Sequence, residues 1–253
     1  MWYQAADNGR ELWKVKNWDK YSWLIHGFTS RHWGNLALHV EDTVDNVITK
    51  RERLSRYLEI SLGSWVVGNQ VHKANIKKVK PSDKGCGAVD HTSAFCDTDG
   101  MITDYPDLFL VTFYADCVPL LFVEPKSRTI GIAHAGWRGT AAQIGSAMVN
   151  YFRFAHQADL NDLEVAIGPA IGGCCYKISE QVAENFSQQS VSYRSHGIYL
   201  DLCLANQLQL IASGVNANKI FPANECTYCN NSFFSFRREG KSAGRMAAFI
   251  YRS

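Results

Sequence analysis

Apolar positions in this chain follow two spacings, one of strands and one of helices. Residues 22–28 (Ser-Trp-Leu-Ile-His-Gly-Phe) form an apolar run that predicts a strand. Val44, Val47, Ile48, Leu54 and Leu58 recur at broadly helical spacing, which predicts a helix over Thr43 to Leu58. Ser64 to Val71 predicts a strand ending at Gln70-Val-His72, with Lys73 to Val79 continuing extended. Lys80 to Thr98 holds Pro, Gly, Ser and Asp with little periodicity, so it reads as a long loop of the kind that often carries function. Phe109 to Phe113, Val118 to Val123 and Thr129 to Ala133 are apolar and β-rich. With turn chemistry at Glu124-Pro-Lys-Ser-Arg128, they predict a hairpin over 108–134. Gly136 and Gly139 lead into a predicted helix from about Thr140 to Phe154, and Glu164 to Ile167 reads as a short strand closed by Gly168 to Gly173. Ser179 opens a helix with Glu180 in its dipole-favoured first turn, and Asp201 to Ser213 forms another, stopped by Gly214. Lys219-Ile-Phe, Phe233-Phe-Ser-Phe and Met246 to Tyr251 read as extended. Strands and helices mix without a regular βαβ cadence. The predicted fold class is α+β, a single domain over residues 1–253 with a mixed β-sheet core flanked by helices.

Composition narrows the functional classes. A chain of 253 residues that is 46% hydrophobic and 20% charged can bury a substantial core. The net charge of +2 argues neither for nor against nucleic acid or an anionic membrane, so any anion recognition must come from local arginines; no nucleic-acid partner is expected. No apolar run approaches the roughly 18–20 residues that span a bilayer, so no membrane partner is predicted either. Met1-Trp-Tyr-Gln-Ala-Ala lacks a basic-then-apolar leader, and a cytoplasmic location is expected. The eight cysteines are then expected reduced, with Cys86, Cys96 and Cys203 acting as small buried hydrophobes. The vicinal Cys174-Cys175 cannot close an ordinary disulfide on itself. Cys226-Thr-Tyr-Cys229 has CxxC spacing, but no further ligands lie at a matching spacing, and a strand–CxxC–helix redox context is missing.

The chemistry concentrates in His72, Cys117 and His134. A turn centred on Lys126 and Ser127 sets Cys117 opposite residues 134–136. Opposed positions in antiparallel strands have Cβ atoms roughly 4.5–5.5 Å apart, so thiol and imidazole can meet. Two imidazoles and one thiolate suit Zn²⁺ and leave a fourth position for water or substrate. The same three side chains could take Cu²⁺. His26, His91, His156 and His196 read as hydrogen-bonded structural residues, while His39 stays open. Among the arginines, Arg138 at a glycine-flanked helix start is the best anion binder; Arg51 sits on the 43–58 helix, and Arg237, Arg238 and Arg245 crowd the C-terminal segment. Arg53, Arg56 and Arg153 read as solvated surface charges. Asp116 neighbours Cys117, although alternation can turn it to the opposite face.

The order Gln70-Val-His72, Ala115-Asp-Cys117-Val-Pro119, His134-Ala-Gly-Trp-Arg-Gly139 and Ile167-Gly-Pro-Ala-Ile-Gly172 with Cys174-Cys175-Tyr176 resembles the YfiH/LACC1-type family. Asn35-Leu, Arg51, Asp99-Gly-Met-Ile-Thr103, Cys226-Thr227, Ser235-Phe-Arg237-Arg238 and Gly244-Arg245 extend the resemblance over nearly the whole chain. Members are described as multicopper polyphenol oxidoreductases (laccases) and as purine nucleoside phosphorylases with adenosine deaminase activity. The resemblance implies a YfiH/CNF1-like fold and a metal site on His72, Cys117 and His134. It also implies purine nucleosides and phosphate as substrates. Asn35, Arg51, Gln70 and Arg138 are expected to bind them, with Arg138 and Arg51 positioning the phosphate, and a monomer or small homo-oligomer is expected. Lys50, Lys73, Tyr114 and Arg31-His-Trp-Gly34 depart from the family's pattern and bear on substrate preference. Two other functions fit the residues. A copper-dependent laccase would need many histidines and usually His-x-His pairs, whereas the chain has eight histidines and no such pair. A metal-free cysteine hydrolase would use Cys117 as nucleophile and His134 as base.

Overall fold

The computed structural model describes residues 1–7, 10–155 and 158–253. Among them the chain forms fifteen strands and six α-helices. The first half contributes β1 (Trp2–Asp7), β2 (Arg10–Val15), β3 (Leu24–Thr29), α1 (Val44–Leu58), β4 (Trp65–Val67), β5 (Ile76–Lys78), β6 (Gly100–Thr103), β7 (Phe109–Tyr114) and β8 (Val118–Glu124). Then follow β9 (Thr129–Ala135), α2 (Trp137–Ala141), α3 (Ile144–Ala155), β10 (Glu164–Ile167), β11 (Lys177–Ile178), α4 (Glu180–Ala183), β12 (Val191–Arg194) and β13 (Gly197–Leu200). The last elements are α5 (Leu202–Ala212), β14 (Ile220–Pro222), α6 (Phe236–Glu239) and β15 (Met246–Arg252).

Two mixed six-stranded sheets, ordered β1-β2-β3-β15-β7-β4 and β14-β10-β8-β9-β6-β5, pack face to face. A small third sheet, β11-β13-β12, lies apart from them in the topology. Alternation along the strands builds four layers. Leu110, Tyr114, Ala248 and Ile250 meet Leu121, Ile130 and Ile132 between the sheets. Phe109, Val111 and Phe249 face outward onto Trp33 and onto Leu54 of α1. Leu120, Phe122 and Ala133 turn the other way, onto Met148 and Phe152 of α3 and Leu210 of α5. Strands covered on both faces read as unbroken apolar runs, which is why Phe109–Tyr114 and Val118–Glu124 show no polar alternation. Each fully buried aromatic or aliphatic side chain contributes about 1.5–3 kcal/mol by leaving water. No helix among the described residues is long and apolar enough to cross a membrane.

Several expectations are corrected. The hairpin is only β8 with β9, whereas Phe109–Tyr114 belongs to the other sheet, between β15 and β4. Gln70 and His72 lie in the loop between β4 and β5 rather than at a strand end. The helix over 140–154 is two pieces, α2 and α3, separated at Gln143, whose φ of 62° no interior helix residue adopts. The Ser179 helix is a single turn, and residues 233–235 form no strand but lead into α6. The strand pairs β1–β2 and β12–β13 were not anticipated. His26 is structural as expected. It is buried, accepts the Val15 N–H at 2.9 Å through Nε2, and is pushed down to about 3 chiefly by burial. His156 lies outside the described residues.

Candidate metal and ligand site

The three candidate ligands come from three different parts of the fold. The chain leaves one sheet at Tyr114 and enters the other at Val118, and Cys117 sits on that crossover. The step requires φ of 89° at Asp116, a left-handed value that only outside contacts hold for a residue with a side chain. Its carboxylate accepts the Thr227 hydroxyl at 2.7 Å, the Ser235 hydroxyl at 3.1 Å and the Arg237 N–H at 2.7 Å. Asp116 is therefore committed to anchoring the crossover and is not a free proton carrier. His134 lies near the end of β9. The register pairs Val118 with Ala135, so Cys117 faces Gly136 in the manner the turn chemistry predicts. His72 takes φ of 62° in its loop.

Asp99, just before β6 and fully buried, ties these parts together. It accepts the N–H groups of Val71, His72 and Lys73 at 3.2, 2.9 and 2.9 Å, which fixes the loop that presents His72. It also pairs with His134 Nδ1 at 2.9 Å, leaving Nε2 to face Cys117. Burial works against the Asp99 carboxylate, but the His134 bond and the backbone N–H donors outweigh it and hold its pKa below the usual range. One nitrogen of each histidine and the thiol of Cys117 lie within 4.8 Å of one another. Burial opposes charge on both Cys117 and His134. Their mutual attraction overrides it, with His72 assisting the thiolate, so the thiol is pulled down and the imidazole pushed up.

This donor set fits a divalent cation. Two nitrogens and one thiolate are ligands of zinc and of copper, and a carboxylate on the far nitrogen of one histidine is the usual device for fixing its tautomer. The space is also kept clear by Gly136. A Cβ there would stand 2.9 Å from His72 Cδ2 and 3.1 Å from Cys117 Sγ. Gly136→Ala is therefore expected to push the ligands apart and weaken metal binding ~10–100-fold, the equivalent of the ~1–3 kcal/mol that overpacking costs. Competition against a chromogenic chelator measures it; unchanged affinity would show that the ligands do not close where Gly136 makes room.

The trio opens into a cavity of about 480 Å³. Arg138, Arg237 and Arg245 line it, together with the rings of Phe113, Trp137 and Tyr176. The Arg138 guanidinium lies 4.2 Å from the Trp137 ring centre, and that of Arg237 lies 5.1 Å from Tyr176. His39 also faces the cavity; burial, then the neighbouring Arg245 charge, lowers it to about 4, so its imidazole is neutral at pH 7.

The other predicted residues divide. Gln70 lines the cavity, but its amide is spent on Phe113, donating to the carbonyl at 2.9 Å and accepting the N–H at 2.8 Å. Asn35 stands behind the wall, accepts the Arg245 N–H at 3.0 Å and so positions that arginine. Arg51 is not among the cavity-lining residues. It is 1% exposed, donates to the carbonyls of Leu36, Gly87 and Ala88, and stacks against Phe113 at 4.8 Å. Arg51, expected to position phosphate, thus has its Nε and Nη1 donors engaged by backbone carbonyls. Asp99, Tyr176 and the pairing of Arg237 with Arg245 were missed as site features. The reading of Cys226 and Cys229 as lacking further ligands is also corrected, because the fold brings Cys174 and Cys175 to them.

A family model described as multi-copper polyphenol oxidoreductase laccase matches residues 26–253. The chain is 40% identical to purine nucleoside phosphorylase YlmD of Geobacillus stearothermophilus, over 92% of this chain and 91% of that protein. It is 28% identical to adenosine deaminase RL5 from an unknown prokaryotic organism, over 86% of each chain. The crystal structure of the Bacillus licheniformis hypothetical protein YfiH superposes with a TM-score of 0.93 at 34% identity, covering 99% of both chains.

Proposed function

Since this chain belongs to the multi-copper polyphenol oxidoreductase laccase family, with relatives named as purine nucleoside enzymes, we propose that it is a zinc-dependent purine nucleoside phosphorylase that also deaminates adenosine. The observation that carries this reading is the meeting, in one cavity, of the His72–Cys117–His134 donors with three guanidinium groups and several aromatic faces. Arginines at that density suit a phosphate, and the rings suit a purine.

In phosphorolysis a phosphate oxygen attacks the ribose C1′, the C1′–N9 bond breaks, and the purine leaves with a proton. Arg138, Arg237 and Arg245 hold the phosphate against C1′ and offset its charge. Tyr176 and Trp137 pack on the base and exclude water. His39, neutral and without a hydrogen bond to another described residue, donates its N–H to the purine as negative charge builds there. A zinc ion held by His72, Cys117 and His134 would supply Lewis acidity and water activation at neutral pH for attack at C6 of adenine. Asp99 keeps the His134 Nε2 lone pair aimed inward for that purpose.

Copper oxidase chemistry is less well supported. Multicopper sites draw on several histidine clusters, and among the described residues only one cluster of three or more candidate ligands contains histidine. The arrangement Cys117–His134–Asp99 also resembles a nucleophile–base–orienter series, which favours the metal-free hydrolase as second reading. Alkylation of Cys117 that zinc blocks, with no acyl-enzyme on any ester, excludes it.

The decisive assay incubates zinc-loaded protein with adenosine, with and without phosphate. Adenine plus ribose 1-phosphate is expected with phosphate, and inosine without it. Arg138→Ala is expected to raise the KM for phosphate ~10–100-fold, the worth of one charge-assisted hydrogen bond, while leaving inosine formation nearly unchanged. Neither product from metal-replete protein would refute the assignment.

A further inference from the structure

We propose that Cys174, Cys175, Cys226 and Cys229 bind a second, structural zinc ion, distinct from the His72–Cys117–His134 centre. The four sulfurs lie within 4.8 Å of one another. Cys175 and Cys229 are 3.3 Å apart and Cys174 and Cys229 are 3.8 Å apart. Zinc with four thiolates at about 2.3 Å makes a tetrahedron with edges of about 3.8 Å, so the cluster needs only small adjustments to close on an ion.

The topology explains how two sequence-distant pairs converge. β10 and β14 run parallel, with Ile167 opposite Pro222, so the loops after both strands leave at the same edge. The register persists as a bridge from Ala170 to Cys226, reinforced by the Thr227 N–H on the Ala170 carbonyl at 3.0 Å. Cys174-Cys175 then turns back on Gly172, whose carbonyl accepts the N–H of Cys175 at 2.9 Å. The Gly172 N–H donates to Cys226 Sγ at 3.3 Å, and the Cys229 amide bonds the same sulfur. Amides pointing at a sulfur stabilise a thiolate.

The electrostatics add to the geometry. Burial raises the thiols of Cys174 and Cys175, and the neighbouring Cys226 and Cys229 sulfurs add to it. Burial would also raise Cys226, but its amide donors pull it down. Coordination to a dication deprotonates thiols outright, so four neighbouring sulfurs are tolerated as thiolates once an ion is bound. Four thiolates close the coordination sphere, which marks a structural ion rather than a catalytic one.

Its place in the fold gives it a task. The loop after β10 carries Ile171 and Tyr176, and the segment after β14 leads to Phe236 and Arg237; all four line the cavity. The second segment also anchors the crossover through Thr227 on Asp116. An ion at the four cysteines would clasp two walls of the cavity together.

Elemental analysis of full-length protein, purified under reductant from zinc-supplemented cells, tests this independently of the nucleoside reading. Two zinc ions per chain are expected in wild type, one in Cys117→Ala and one in Cys226→Ser/Cys229→Ser. Cys117→Ala loaded with cobalt should show the intense sulfur-to-cobalt charge transfer of a four-thiolate site. That measurement stands even if the double variant fails to fold. One zinc ion that survives Cys117→Ala and disappears from Cys226→Ser/Cys229→Ser would support this site and refute the other. One zinc ion abolished by Cys117→Ala, no cobalt–thiolate bands in Cys117→Ala, or iron in place of zinc at the four cysteines would each overturn the proposal.

Discussion

Asp99→Ala is expected to destabilise the fold by about 3–5 kcal/mol, the range for breaking a buried charged pair, and to release metal from the His72–Cys117–His134 site. The substitution leaves three backbone N–H groups and the His134 imidazole without their acceptor. Each orphaned buried donor costs about 1–3 kcal/mol, partly recovered as the 71–73 loop relaxes toward water. That same relaxation removes His72 from the site. Asp99→Asn keeps one acceptor oxygen and should lose less stability, yet it offers His134 the wrong partner and should weaken metal binding ~10–100-fold. The effect has a pH signature. The folded-state pKa of Asp99 is depressed, so its contribution is complete above its unfolded value of about 3.9 and vanishes as pH falls through the folded one. Urea midpoints and chelator competition measure both arms. An Asp99→Ala protein with the wild-type midpoint would show that the loop is held by something else.

Cys117→Ala should abolish both proposed activities while leaving the chain folded. Cys117 is only partly buried and faces the cavity, so removing its sulfur opens little new void. The thermal midpoint should move by only a few degrees, the scale of ~1 kcal/mol. Turnover should fall by roughly 10³-fold or more, as when one member of a concerted catalytic group is removed. The metal count should drop by one in the same preparation. Full turnover by a metal-free Cys117→Ala enzyme would dispose of the proposed centre.

Legibility in the sequence tracked whether a residue's environment is local. The β8–β9 hairpin was readable because Glu124–Arg128 announces its own turn, and its register followed. The run Phe109–Tyr114 announced a strand but no partner, since a strand buried on both faces carries no pattern that distinguishes one sheet from another. The break at Gln143 had no glycine or proline to signal it. The exposed pair β12–β13, with Tyr193 70% exposed, has too little burial to pattern its residues. In the site, His72, Cys117 and His134 stood out by residue type and by resemblance. Asp99 entered only within a resembling segment and without a role, because nothing local separates a buried acceptor of four bonds from a solvated acid. The burial of Arg51 was not read although a signal existed: Val47, Arg51 and Leu54 share the buried stripe of α1, so the guanidinium had to point inward. Cys174 and Cys175 met Cys226 and Cys229 only through the parallel pairing of β10 with β14, a tertiary fact.

The position of β15 has a consequence for biogenesis. It lies between β3 and β7, and so in the interior of its sheet, although Met246–Arg252 follows every other described strand in the chain. Until β15 docks, β3 and β7 each expose an unpaired edge to other nascent chains. Closure of the sandwich thus waits on a pairing of high contact order, and assembly of the pocket around Cys117 follows it rather than seeding it.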